Sequence, residues 1–221
     1  MTEEQEAATL TEQAEASLEA AIVKGRLSPG MKLRVSNIAK EFGVSTTPMR
    51  EALSRLVSRG LVVAVGQRGF RVAPTSPEDL ADITVTRVAL ETAALRRSMR
   101  VGDGRWEGEI ISALHQLKRI VGRNRILKDS PELNLTHKGF HASLIAACGS
   151  PRILELTSQL YDQALRYRRL MLATAISADD FVAEHESLAD VVLSRSGNAA
   201  VSKLSSHLER TYLDIYGAMP A

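Results

Sequence analysis

The chain has 221 residues, 44% of them apolar and 4% aromatic, with a formal net charge of +2. That apolar content excludes a disordered polymer, the length favours two modest domains, and the wealth of Ala, Leu, Arg and Glu favours helices. No apolar run reaches the roughly 18 residues of a membrane span. The start, MTEEQEAATL, is acidic and lacks the basic head and apolar core of a signal peptide, and the single Cys148 excludes an internal disulfide. A cytoplasmic protein with no membrane partner is expected.

The charge is unevenly spread. Residues 22–71 hold ten Lys/Arg against two acids, Glu41 and Glu51, a difference of 10 − 2 = 8, whereas residues 76–221 hold eighteen of each sign. One compact basic segment points to an anionic polymer as its partner.

In chain order, a first helix is predicted from about Thr11 to Lys24, with Ala14, Leu18 and Ile22 on its apolar stripe and Gly25 at its end. GRLSPGMKL then reads as a turn, with Pro29-Gly30 at the central pair of a type II turn. Ser36 is expected to cap a short helix carrying Ile38, Ala39 and Phe42, closed by Gly43. Ser45 caps the next, whose first turn accommodates Pro48 and whose buried face is Met49, Ala52, Leu53, Leu56 and Val57. Two short helices joined by a Gly-containing turn make a helix-turn-helix. LVVAVGQRGFRVA follows as two β-rich runs around Gly66-Gln67-Arg68-Gly69, a hairpin and hence a wing. The second helix opens on Thr46, Thr47 and Arg50, hydroxyls and a guanidinium suited to phosphates and guanine edges. Arg68 sits at the wing tip, within reach of an adjacent groove.

The run from Gly25 to Ala73, above all GVSTTPMREALSRLVSRGL, resembles the DNA-binding domain of the GntR family of bacterial transcription regulators. By position the resemblance implies operator contacts from Arg34, Thr46, Thr47, Arg50 and Gly69. With the helix-capping Ser45 and the wing Arg68, these form the expected DNA-binding set. Many relatives have arginine where this chain has Thr46, so contact there is expected to be weaker or differently specific.

VAPTSPEDL is a Pro-punctuated linker, and the expected domains are 1–74 and 75–221. Beyond it, helices are predicted near 77–100, 105–122, 131–148, 151–174, 178–195 and 198–216, bounded by Gly102/Gly104, Ser130-Pro131, Gly149-Ser150-Pro151, Ser177 and Gly197-Asn198. The fold class is therefore mostly α: an N-terminal winged helix-turn-helix and a C-terminal antiparallel bundle of six or seven helices.

Four of the five histidines fall on apolar faces of three of these helices. His137 and His141 lie with Leu133, Phe140 and Leu144, His185 lies with Phe181, Leu188 and Val192, and His207 with Leu204, Leu208 and Ile215. His115 has no such company. Inward imidazoles need partners for both ring nitrogens, and two readings are open: scattered hydrogen-bonded core histidines, or a shared divalent ion. The i, i+4 spacing of His137 and His141 suits one ion.

This half resembles the FadR-like, FCD-type ligand-binding domain of GntR regulators, on the motifs TRVALE, HKGFHASLIAACGSPRI, AEHESLADVVLSRSGNA and a late HL. The resemblance implies a divalent metal held by His137, His141, His185 and His207, with His137 standing where the family more often has Asp. Four neutral imidazoles leave the ion's charge uncompensated, so Zn²⁺ or Ni²⁺ is expected over Mn²⁺, together with a strong pull on an anion. Arg87 faces inward with Leu80, Ile83 and Ala94. The resemblance implies that it holds the effector's carboxylate, although a pair with Glu91 would equally explain its position. Arg166, in RYRR, reads first as part of a solvated face or a domain contact and second as an effector-binding candidate.

The expected protein is a homodimeric repressor of transcription, not an enzyme, whose operator affinity is set by a small organic acid. No general base or nucleophile stands clearly beside the histidines, since Glu184 and Glu186 flank His185 without needing to face inward. A regulator sensing the metal itself, or a metal enzyme, are the alternatives.

Overall fold

The computed structural model describes residues 9–66, 69–124, 130–172 and 177–219. Two compact units divide between Thr75 and Ser76. In the first, α1 (Leu10–Val23) is opened by a capping box: Thr9 Oγ1 accepts from the Glu12 backbone and Glu12 accepts from the Thr9 backbone. Strand β1 (Lys32–Leu33) precedes α2 (Val35–Glu41) and α3 (Thr46–Ser58), and β2 (Val62–Ala64) and β3 (Phe70–Val72) complete the unit. The turn before β1 is tied by Met31 N donating to Ser28 O, with Gly30 at φ +75°, the left-handed value that the third residue of a type II turn requires.

The core of this unit draws Leu18 and Ile22 from α1, Ile38 from α2, Met49, Leu53 and Leu56 from α3, and Phe70 and Val72 from β3. The strands are antiparallel in the order β1-β3-β2, with Lys32 and Val63 both opposite Arg71. Strand β1 lies where only a turn was expected: two residues carry no periodic signal, and their extended form comes from pairing with β3. Ser36 does not cap α2. The helix begins two residues earlier, Arg34 takes the N-cap position, and the Ser36 hydroxyl donates to Asn37 Oδ1 instead.

The second unit is helical among its described residues: α4 (Pro77–Val101), α5 (Gly104–Asn124), α6 (Pro131–Ile145), α7 (Pro151–Leu172), α8 (Ala178–Leu193) and α9 (Gly197–Tyr216), with a 3₁₀ turn over Ala146–Cys148. Ser76, Ser130 and Ser177 cap α4, α6 and α8 through their hydroxyls, and prolines occupy the first turns of α4 and α6. α4 packs on α7 and α9, and α5 on α6 and α8. Their shared core includes Leu95, Ile110, Leu117, Phe140, Leu144, Leu188 and Leu204. No helix among the described residues is long and apolar enough to cross a membrane.

The α4–α5 corner is close-packed. Gly102 has an ordinary φ of −64°, but a Cβ there would lie 2.6 Å from Trp106 Cδ2 and 2.7 Å from the Ser98 carbonyl oxygen. Trp106 cannot retreat easily, being buried and donating from Nε1 to Ser143 O at 2.9 Å. Gly102→Ala is therefore expected to destabilise the protein by about 1–3 kcal/mol through overpacking, read as a lower thermal midpoint. An unchanged midpoint would show that the corner relaxes freely.

Candidate metal centre and DNA-reading face

The start of α3 presents Ser45, Thr46, Thr47 and Arg50 to solvent while Met49, Ala52 and Leu53 on the other face enter the core. Ser45 holds the N-cap position without a side-chain capping bond, so its hydroxyl is not committed to the helix end. Arg34 is exposed just before α2, and Gly69 takes φ +91° beside β3. Arg68 lies outside the described residues.

The basic segment is sorted by its contacts. Arg59 pairs with Glu15 and Glu19 (shortest 2.8 Å), Arg55 with Glu15 at 3.4 Å, Arg26 with Glu41 at 3.5 Å, and Arg71 donates to the Gly30 carbonyl. Acids of α1 thus neutralise arginines at the far end of α3, which a charge count beginning at residue 22 leaves out. Arg34 and Arg50 form no ion pair with the described residues and keep their guanidinium groups for an outside anion.

In the helical unit, α6, α8 and α9 bring His137, His141, His185 and His207 together, with one nitrogen of each inside a 4.8 Å span. His137 Nε2 lies 2.8 Å from His185 Nε2 and 3.1 Å from His141 Nε2, and His141 Nε2 lies 3.3 Å from His207 Nε2. His115 is exposed on α5 and takes no part.

The outer nitrogens decide what the inner ones can be. His185 Nδ1 lies 2.6 Å from the Phe181 carbonyl, which only accepts, so this nitrogen carries the proton. His207 Nδ1 faces Glu184 Oε1 at 3.4 Å and is likewise a donor. In their neutral forms both rings then turn a bare Nε2 lone pair inward, toward the nitrogens of His137 and His141. Tyr161 OH meets His137 Nδ1 at 2.7 Å and fixes the third ring. Four nitrogens about 2.0–2.1 Å from a zinc ion stand about 3.3 Å apart in a tetrahedron, close to the separations here. The donor set fits a divalent ion with borderline-soft preferences, and two of its outer partners, a backbone carbonyl and a carboxylate, are of the kind that orient metal-binding imidazoles.

Glu184 is further held by Lys203 at 2.9 Å. Its hydrogen bond with His207, and then that with Lys203, lowers its pKa from 4.5 to about 2 against the opposing effect of burial. Tyr161 is a site residue that the sequence reading missed. Losing its hydroxyl leaves the fold intact but frees the His137 ring, so Tyr161→Phe should weaken metal affinity about 10–100-fold, as measured by competition with a chromophoric chelator. Unchanged affinity would remove Tyr161 from the centre.

Two cavities adjoin the histidines. One of about 200 Å³ lies among α4, α6 and α7 and includes Arg87, Glu91, Lys138, His141 and Tyr161 in its wall. The other, about 330 Å³, lies on the α8–α9 side and includes His137, His185, His207, Glu184 and Lys203. Arg87 is 8% exposed, and its Nε donates to Glu91 Oε1 at 2.7 Å. Its Nη2 is buried without a partner among the described residues. Both sequence readings of Arg87 are thus compatible: it pairs with Glu91 and still has one donor to give. Arg166 lines neither cavity. It binds Asp79 Oδ2 through Nη2 at 3.1 Å and the Gln163 carbonyl through Nε. Beside it Tyr167 OH, whose pKa is pushed up by burial and by Asp79, contacts the Ser76 backbone at 3.0 Å at the start of α4.

Residues 10–72 match the model for bacterial regulatory proteins of the gntR family, and residues 82–210 match that for the FCD domain. The chain belongs to the GntR family. This GntR-family chain is 38% identical over 196 residues to the uncharacterized HTH-type transcriptional regulator BphR of Paraburkholderia xenovorans, covering 87% of this chain and 79% of that protein. It is 32% identical over 191 residues to the HTH-type transcriptional repressor GlaR of Escherichia coli, covering 85% of this chain and 87% of that one. The fold is shared with E. coli McbR/YncC at a TM-score of 0.74 and 23% identity, over 95% of this chain and 98% of the other. The protein is accordingly a DNA-binding transcriptional regulator with an FCD effector domain, and not an enzyme.

Proposed function

We propose that this regulator is a homodimeric, cytoplasmic repressor whose affinity for operator DNA is set by a small organic anion at a histidine-held metal ion. The observation that carries this reading is the convergence of four imidazole Nε2 atoms beside a cavity that contains a buried, unspent Arg87 donor. His137, His141, His185 and His207 hold the ion, Zn²⁺ or Ni²⁺ in preference to Mn²⁺, because imidazole suits the former pair. When bound, such an ion supplies positive charge and an open position for an anionic ligand. Arg87 orients the anion through Nη2, while Tyr161, Glu184 and the Phe181 carbonyl keep the rings aimed.

Ser45, Thr46, Thr47 and Arg50 read one half-site, Arg34, Arg68 and Gly69 support them, and a second copy reads the other, since one such unit covers too few base pairs for selectivity. The effector then acts by favouring the dimer state in which the two reading faces fit the operator less well. Repression is favoured by the repressor among the relatives. The test is operator binding by metal-loaded protein, followed by fluorescence anisotropy while organic acids are added. Affinity that falls at saturating acid supports the reading. Affinity that depends on metal but on no organic acid makes the ion itself the signal.

A further inference from the structure

The cavity among α4, α6 and α7 has a wall whose two cations are already paired. Arg87 is matched by Glu91 at 2.7 Å, and Lys138 Nζ by Asp162 Oδ1 at 2.6 Å. Asp162 stands outside the lining, but each cation of the wall is already paired with a carboxylate, which weakens its pull on a second anionic group. Glu91 itself lines the cavity and would repel one.

The hydrogen-bonding capacity is equally limited. Arg87 Nη2 is a buried donor with no partner among the described residues, and leaving such a group unmet costs about 1–3 kcal/mol. An acceptor placed there is rewarded. The Thr157 hydroxyl is already given to the Ile153 carbonyl at 2.8 Å, and the Tyr161 hydroxyl oxygen is engaged by His137 Nδ1 at 2.7 Å. Among the lining residues Ser158 adds one further hydroxyl beside the His141 ring and the Lys138 ammonium, and Ala142, Ile145, Ala146 and Leu154 form the aliphatic part of the surface. A ligand rich in hydroxyls would bury more polar groups than this wall has partners to meet.

We propose that the effector is a monocarboxylate with an unsubstituted apolar body, its single carboxylate accepting from Arg87 Nη2 at the His141 end and its body lying against Ile145 and Leu154. The volume of about 200 Å³ is below the roughly 300–1,000 Å³ of sites for drug-sized ligands, which points to acids on the scale of hexanoate or benzoate. Dicarboxylates and sugar acids are disfavoured. This rests on the reading of the helical unit as a metal-assisted anion site and narrows the class of anion it takes.

Isothermal titration calorimetry on the full-length, zinc-loaded protein compares hexanoate, benzoate, adipate and gluconate. Hexanoate or benzoate should bind at least tenfold more tightly than adipate, which has the same chain length as hexanoate and a second carboxylate, and than gluconate. Ala142→Trp narrows the exposed rim of this cavity and should weaken the favoured acid at least tenfold with zinc content unchanged. Adipate or gluconate binding as tightly as hexanoate would overturn the single-anion, apolar-body inference while leaving the anion site standing. Binding that ignores Ala142→Trp would overturn the placement in this cavity. Failure of every carboxylate to bind would overturn the inference and the anion-controlled function together.

Discussion

Treatment with a chelator is expected to lower the thermal midpoint of the wild-type protein strongly and to leave that of His141→Ala almost unmoved. The His141 ring is 5% exposed and its Nε2 stands between those of His137 and His207, at 3.1 and 3.3 Å. Its removal takes the middle donor out of the set. An ion present at 1,000 times its dissociation constant stabilises the folded state by about 4.1 kcal/mol. For a chain of this size that corresponds to a midpoint shift of about 8–16 °C. The same stabilisation is absent from the variant, so the gap between the two proteins should open in metal and narrow in chelator. A wild-type midpoint indifferent to chelator would leave the histidines as core residues, satisfied by one another through alternating tautomers.

The second large effect is expected at Arg50. Arg50→Ala should leave the fold intact, because the side chain is exposed and forms no ion pair with the described residues. A bidentate guanine contact is worth about 1–3 kcal/mol, so operator affinity should fall roughly five- to 150-fold and discrimination at one base pair should relax. The readout is anisotropy on the operator and on point-mutated operators at fixed salt. If affinity fell evenly on every sequence and the salt dependence lost about one unit of slope, Arg50 would be a phosphate contact instead. Arg55→Ala serves as contrast: that residue faces Glu15, and its loss should change operator affinity little.

Helix placement was legible because its signals are local. Ser-Pro steps at Ser76-Pro77 and Ser130-Pro131, and the Gly149-Ser150-Pro151 stop, act within one turn of chain, and α4, α6 and α7 begin where those signals stand. The inward faces of His137, His141, His185 and His207 were legible for a related reason: helical periodicity carries the direction of a side chain. What periodicity does not carry is the partner. The sequence leaves Arg166 between a solvated face, a domain contact and an effector contact, and the group it meets is Asp79, 87 residues earlier in the chain. Tyr161 is similar, since nothing in RILELTSQLYDQAL says that its hydroxyl will meet His137 24 residues away. β1 exists through pairing with β3, and the neutralisation of Arg55 and Arg59 comes from an acidic helix outside the basic run. Each miss is a tertiary contact between segments whose local patterns are silent about each other.

The metal content of tag-free protein, determined by elemental analysis beside His141→Ala, tests the central claim most directly. Close to one zinc or nickel ion is expected per wild-type chain, with loss of that ion in the variant. An absence of metal from wild-type protein that remains after incubation with zinc and with nickel would contradict it.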